Sequence, residues 1–175
     1  MNLITELERL ADALGGDGSE APHISFSSVA ERIAKALSVR TDEVAILGVS
    51  NRWRHLYFIV PKALKNVDFI PLSSKSALAA RTTRDSRPEI INDFSSTKHA
   101  SVFEGVKLTG EGAEAIHKII SAPILSGDRV VGVIQISRKG ATPKLAGPDF
   151  TSDDLGKVLA LCKPLGKLLQ HALSE

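Results

Sequence analysis

The sequence predicts an α+β fold, a central antiparallel sheet carrying helices from both ends of the chain, and three features predict it. The patterns open helix, helix, strand, strand, an order that belongs to an α+β domain rather than to a βαβ series. Two apolar runs within Ile119–Arg138 flank Ser126-Gly127-Asp128-Arg129, a turn signal in which Gly supplies positive φ, and they read as a hairpin. A capped, leucine-rich helix closes the chain. A length of 175 residues suits one domain with terminal extensions, large enough to bury a core without metals or disulfides. A formal charge of +2 is nearly balanced and gives no reason to expect nucleic acid as a partner. Cys162 is the one cysteine, so an intramolecular disulfide is excluded, and no Cys/His spacing suggests a metal. There is no secretory pattern and no apolar run of bilayer length, which makes the cytoplasm the expected compartment and a membrane partner unexpected.

Residues 1–14 place Leu3, Leu7, Leu10 and Leu14 at alternating spacings of four and three, the stripe of an amphipathic helix. Gly15-Gly16-Asp17-Gly18-Ser19 stops it, so residues 1–22 read as a helix with a joint and 23–175 as the domain proper. A helix this short is marginal alone and needs a surface, its own domain or a second subunit. Phe26, Val29, Ala30, Ile33, Ala34 and Leu37 form one face of a second helix over 24–37. Residues 43–50 and 55–60 read as strands joined by the turn Asn51-Arg52-Trp53-Arg54, and Pro61 ends the second. A short strand is expected at 69–73. A small-residue helix should follow over 74–84, with Ser73 or Ser74 as N-cap.

Residues 88–94 form a brief extended piece, and 95–114, with Gly105, Gly110 and Gly112, a long weakly patterned segment of the kind used as lids and binding loops. On the second hairpin strand, Val130, Gly132, Ile134 and Ile136 share one face and Val131, Val133, Gln135 and Ser137 the other. Strands apolar on both sides belong at the centre of a covered sheet. A loop is expected over 139–149. In the last helix Thr151 is the N-cap, Asp154 stands at N3, and Phe150 and Leu155 make a hydrophobic staple. Pro164 removes a donor inside that helix, so a kink is expected near Ala160.

Three stretches together resemble the GAF domain family. Phe69-Ile70-Pro71-Leu72-Ser73-Ser74-Lys75-Ser76-Ala77-Leu78-Ala79-Ala80-Arg81 is similar to the segment leading into that family's pocket helix. Arg87-Pro88-Glu89-Ile90-Ile91-Asn92-Asp93 is similar to its R-P-x-x-x-x-D, and Ala122-Pro123-Ile124-Leu125-Ser126-Gly127-Asp128-Arg129-Val130-Val131-Gly132-Val133-Ile134, with Phe150-Thr151-Ser152-Asp153-Asp154-Leu155 downstream, to its ending. The resemblance covers roughly residues 24–173. It implies terminal helices on one face of the sheet and, on the other, a small-molecule pocket of loops and short helices. Ligand contacts are then expected at Phe69, Leu72, Ser73, Ser76, Ala79, Ile91, Asp93 and Phe94. It also implies dimerisation through the terminal helices, with Leu3, Leu7, Leu10, Leu14, Leu165 and Leu169 at the interface. A non-catalytic bacterial-type sensor follows, acting as a homodimer that signals to a separate protein. The alternative is a dimerisation module with a vestigial pocket.

Departures narrow this further. The lone Cys162 lies in the last helix, so no covalent tetrapyrrole is expected, and the cysteines of the methionine sulfoxide reductase members are lacking. The cyclic-nucleotide members' Asn-Lys-x-Phe-Asp-Glu motif is also missing, and the cofactor, if any, stays open. His99 and His117 read as loop or surface histidines rather than ligands, and Trp53 with Arg52, Arg54 and His55 as a turn carrying one aromatic rather than a nucleic-acid patch. No nucleophile stands in a recognisable constellation with a base, so catalytic residues are not expected.

Overall fold

In a computed structural model of the chain, residues 2–14, 25–64, 69–94 and 115–172 are described. The glycine-rich joint, His99 and the weakly patterned segment 95–114 lie outside them. The elements run α1 (Leu3–Leu14), α2 (Phe26–Leu37), β1 (Val44–Ser50), β2 (His55–Val60), β3 (Ile70–Pro71), α3 (Leu78–Asp85), β4 (Glu89–Ile91), β5 (Ala115–Ser126), β6 (Arg129–Gly140), α4 (Pro143–Ala146) and α5 (Ser152–Ala172). Among the described residues, six strands in the order β3-β2-β1-β6-β5-β4 form one sheet, antiparallel at every pairing. The expected α+β architecture is present.

The β5–β6 hairpin is its backbone, longer than the apolar runs suggest because pairing continues out to Ala115 and Gly140. Gly127, at φ 62°, supplies the turn's left-handed residue. Terminal helices cover one face. Ile120, Ala122, Ile124, Ile134 and Ile136 pack there with Ile33, Leu161, Leu165, Leu168 and Leu169 in a single cluster. Each of the isoleucines and leucines among them contributes about 1.5–3 kcal/mol of gross transfer energy. At Gly166, a Cβ would run into the carbonyl of Leu125, so glycine is what lets α5 lie down on β5. The start of α5 is as expected, with Asp154 N–H donating to Thr151 Oγ1 at 3.2 Å and Thr151 N–H to Asp154 Oδ2 at 2.9 Å.

α5 is helical on both sides of Pro164, and the Ala160 carbonyl that loses its donor belongs to an exposed residue, where water can satisfy it. Some local expectations fail in informative places. The helix expected over 74–84 begins only at Leu78, with Ala77 rather than Ser73 or Ser74 at its N-cap. β3 is two residues long, and the loop expected over 139–149 contains α4, capped by Thr142. Register shifts interrupt the alternation of faces. One lies between Ile124 and Leu125, where Val131 is the extra residue on β6, so Val131 packs with the terminal-helix layer instead of sharing the face of Val133. Another inserts Ile59 into β2, so Val60 joins that layer too while Leu56 and Phe58 face the other way.

α1 is not an appendage. Leu7 and Ala11 are buried in the same core, and Glu6 forms an ion pair with Arg32 of α2. Leu165 and Leu169 are both 0% exposed, covered by the chain itself. Of the leucines expected at a dimer interface, Leu7, Leu165 and Leu169 are buried in the chain's own core, and Leu3 and Leu10 pack half-buried against it. Leu14 ends α1.

Candidate functional site

The second face of the sheet carries the segments that the resemblance assigns to a pocket. Leu47, Leu56, Phe58 and Val133 line it, and the small residues Ala77, Ala79 and Ala80 bring α3 close against them with Leu64 and Ile70. A separate cluster forms further along, where Leu78, Phe94 and Ile119 meet half-buried Ile91 and Ile116.

Polar side chains run through this apolar face. Gln135 Nε2 donates to Ser121 Oγ at 3.2 Å, and Ser121 Oγ lies 2.7 Å from Thr82 Oγ1. Thr82 Oγ1 donates its only proton to the Leu78 carbonyl at 3.0 Å. Ser121 must therefore be the donor in the hydroxyl pair, and the three groups form one directed chain from β6 through β5 to α3. All three residues are buried. Gln135 was expected on a face turning polar, and the cover of α3 makes that polar end interior.

The expected ligand residues divide between interior and surface. Ala79 and Phe94 are buried, and Leu72 and Ile91 are half-buried at the margins of the two clusters. Phe69 is 55% exposed and stacks on His55, with ring centroids 4.4 Å apart. Ser73, Ser76 and Asp93 are exposed. Ser76 stands outside α3, because the turn before the helix is held instead by Ser74 Oγ, which accepts the Ala77 N–H at 3.1 Å. Two fixtures hold this region in place. Arg81 makes a bidentate pair with Glu89 at 2.9 Å on both arms, joining α3 to β4. Arg84 reaches back to the carbonyls of Leu72 and Ser74 at 2.7 and 2.6 Å.

Asn92 makes a long-range tie that the sequence alone did not reveal. Its Nδ2 donates to the Phe150 carbonyl at 3.1 Å, and its Oδ1 accepts the Phe150 N–H at 2.8 Å. Phe150 immediately precedes the N-cap of α5, so one amide side chain ties the end of β4 to the start of the terminal helix. Its place inside the Arg87–Asp93 motif was the only available signal; the partner lies 58 residues away.

His117 is buried with Nε2 2.9 Å from the Gly140 carbonyl. Among the described residues no three His, Cys, Asp or Glu side chains group as a metal site. Burial pushes the Cys162 thiol up to about 12, which keeps it protonated and unreactive. No described helix is long and apolar enough to cross a membrane. A charged groove of about 220 Å³ lies between α1 and α5, lined by Glu8, Asp12, Lys163, Pro164 and Lys167, away from the expected ligand residues.

The GAF domain family model matches residues 22–168, and the chain belongs to that family. Among solved structures it is similar to the GAF domain of a phosphoenolpyruvate-protein phosphotransferase from Acinetobacter, at 18% identity and TM-score 0.65, over 98% of this chain and 94% of that one. The corresponding domain from Coxiella burnetii gives 11% identity and TM-score 0.66, over 99% and 96%. Free methionine-R-sulfoxide reductase from Neisseria meningitidis gives 15% identity and TM-score 0.61, over 98% and 89%. At these identities the likeness is one of fold. No curated protein matches the sequence.

Proposed function

We propose that this GAF domain is a non-catalytic sensor that takes a small-molecule effector on the second face of its sheet, beside α3 and β4, and reports occupancy through the terminal helices. The observation that carries this reading is the double attachment of residues 91–94. Ile91 and Phe94 belong to the apolar cluster under α3, while Asn92 between them clasps the residue before α5. A ligand that moved the first two would pull on the third. Such a ligand shifts the helices only to the extent that it binds the two arrangements with different affinity. The directed chain through Ser121 offers hydrogen bonds that a polar ligand atom could exchange for its own.

Output through a homodimer is part of the proposal, but on a different surface from the leucine stripe. Leu159 is 42% exposed on α5, with Gly156 and Ala160 exposed beside it, and that side is open to a second copy or to a separate signalling protein. Should the second face hold no ligand, this surface would make the domain a dimerisation module.

Native mass spectrometry of protein purified gently from its own host, set beside the denatured mass, tests the reading. A non-covalent adduct of a few hundred daltons, lost on denaturation, is the expected result. Hydrogen exchange should then slow in the first turn of α5 when the adduct is present, and Asn92→Ala should abolish that response while keeping the adduct. A bare chain that also fails to respond in a thermal-shift screen of metabolites refutes the sensor.

A further inference from the structure

The groove between α1 and α5 has walls of opposite charge. Glu8 and Asp12 stand one turn apart on α1, Lys163 and Lys167 stand one turn apart on α5, and buried Pro164 completes the lining. Leu7 and Ala11 of α1 share one core with Leu165 and Leu168 of α5, which fixes the two walls relative to each other. All four charged residues are exposed. Among the described residues none of them pairs with an oppositely charged side chain, inside the groove or outside it.

Like charges four residues apart on a helix repel, whereas opposite charges at that spacing support it. Each wall therefore keeps a repulsive pair that the facing wall does not relieve. The volume of about 220 Å³ suits an occupant of a few heavy atoms, since sites for drug-sized ligands run to roughly 300–1,000 Å³. A helix of a second copy, about 10–12 Å across with its side chains, is too thick for it. The wall charges then sort the small occupants. An anion alone meets Glu8 and Asp12, and a cation alone meets Lys163 and Lys167, so each loses on one wall what it gains on the other. A metal ion would find only two carboxylates, and among the described residues no third ligating group joins them. A molecule that carries both signs at opposite ends is attracted by both walls.

We propose that this groove binds a small zwitterion of the amino acid class, its ammonium between Glu8 and Asp12 and its carboxylate between Lys163 and Lys167. The ligand ammonium donates to the two side-chain carboxylates, and the two lysines donate to the ligand carboxylate, so one molecule relieves both repulsive pairs. Pro164 has no backbone N–H, and its ring gives the carbon chain between the two ends an apolar surface. These contacts are open to solvent, so binding saturates at millimolar concentration and weakens as salt is raised. The occupant bridges α1 to α5 and holds α1 on the core. The groove is separate from the second face of the sheet, and the proposal stands whether or not that face holds an effector.

Backbone amide shifts of the isotope-labelled full chain are followed by NMR during titration with glycine, γ-aminobutyrate and ε-aminocaproate, zwitterions whose charges stand progressively further apart. Butylamine and butyrate, each carrying one of the two charges, are titrated at the same ionic strength. At least one zwitterion should give saturable shifts in residues 8–12 and 163–167 and bind about tenfold or more tighter than either singly charged compound. Glu8→Gln with Asp12→Asn, and separately Lys163→Met with Lys167→Met, should each raise the Kd about tenfold or more, one end of the ligand having lost its partners. The replaced side chains are exposed, and circular dichroism verifies the fold of both variants. Lys144→Met, on α4 and outside the groove, should leave the Kd unaltered. Five results each overturn the proposal: no saturable shift with any of the three zwitterions, equal binding of butylamine or butyrate, shifts gathered about α3 and β4 instead, shifts that follow protein rather than ligand concentration and so mark a second copy, or an unchanged Kd in either double variant.

Discussion

Leu7→Ala separates a seam inside one chain from a seam between two. Leu7 is 2% exposed, with α1 lying along α5 and α2. Truncation removes three buried carbons and leaves a cavity, which for leucine costs about 2–5 kcal/mol. α1 sits at one end of the chain and can settle toward the gap, so the lower part of that range, about 2–3 kcal/mol, is expected. With a urea slope of about 2 kcal/mol/M for a small domain, the midpoint should fall by about 1–1.5 M. Half-buried Leu10→Ala should cost about half as much. The discriminating assay is urea unfolding followed by circular dichroism over a hundredfold range of protein concentration. If Leu7 is core, the loss is the same at every concentration and the oligomeric state is unaltered. A midpoint shift that vanishes at high concentration, or a variant that turns a stable dimer into a folded monomer, would refute the placement of α1 on its own chain.

Two further outcomes follow from buried polar groups. Ser121→Ala breaks the directed chain between Gln135 and Thr82 and should cost about 1–3 kcal/mol in the same urea experiment, the penalty of hydrogen bonds lost inside the core. An unaltered midpoint would mean that the chain is not formed. The Cys162 thiol, raised by burial from an ordinary 9.0 to about 12, ionises in the unfolded chain first. Its contribution is therefore fully present below pH 9 and is lost as pH climbs toward 12. Wild type should lose stability over that interval more steeply than Cys162→Ala, whose lower starting stability does not affect the comparison of slopes; parallel pH curves would contradict the burial.

Much of the fold was legible because its signals are local. The 4-3 leucine spacing of α1, the Thr151–Asp154 box and the Gly127 turn each depend on neighbours within a few residues, and each formed as read. The candidate site was legible only as a region. Its order of segments resembled the family, but nothing local distinguishes Ala79, sealed under α3, from Ser76, exposed three residues earlier. The Asn92–Phe150 clasp spans 58 residues and leaves no periodic trace.

By itself the sequence determined most of the elements, the cap of α5 and the Gly127 turn, the α+β class and, through three motifs, the family. Tertiary structure alone decided what each apolar stripe faces, since a stripe requires burial without naming its cover; here the cover for Leu7 is the chain's own core. It also decided the strand faces beyond Val131 and Ile59, where one extra residue reverses the alternation without altering composition. The interior position of Gln135 and Ser121 came from the same source, because burial of a polar pair becomes affordable only when α3 brings Thr82 to complete the hydrogen bonds.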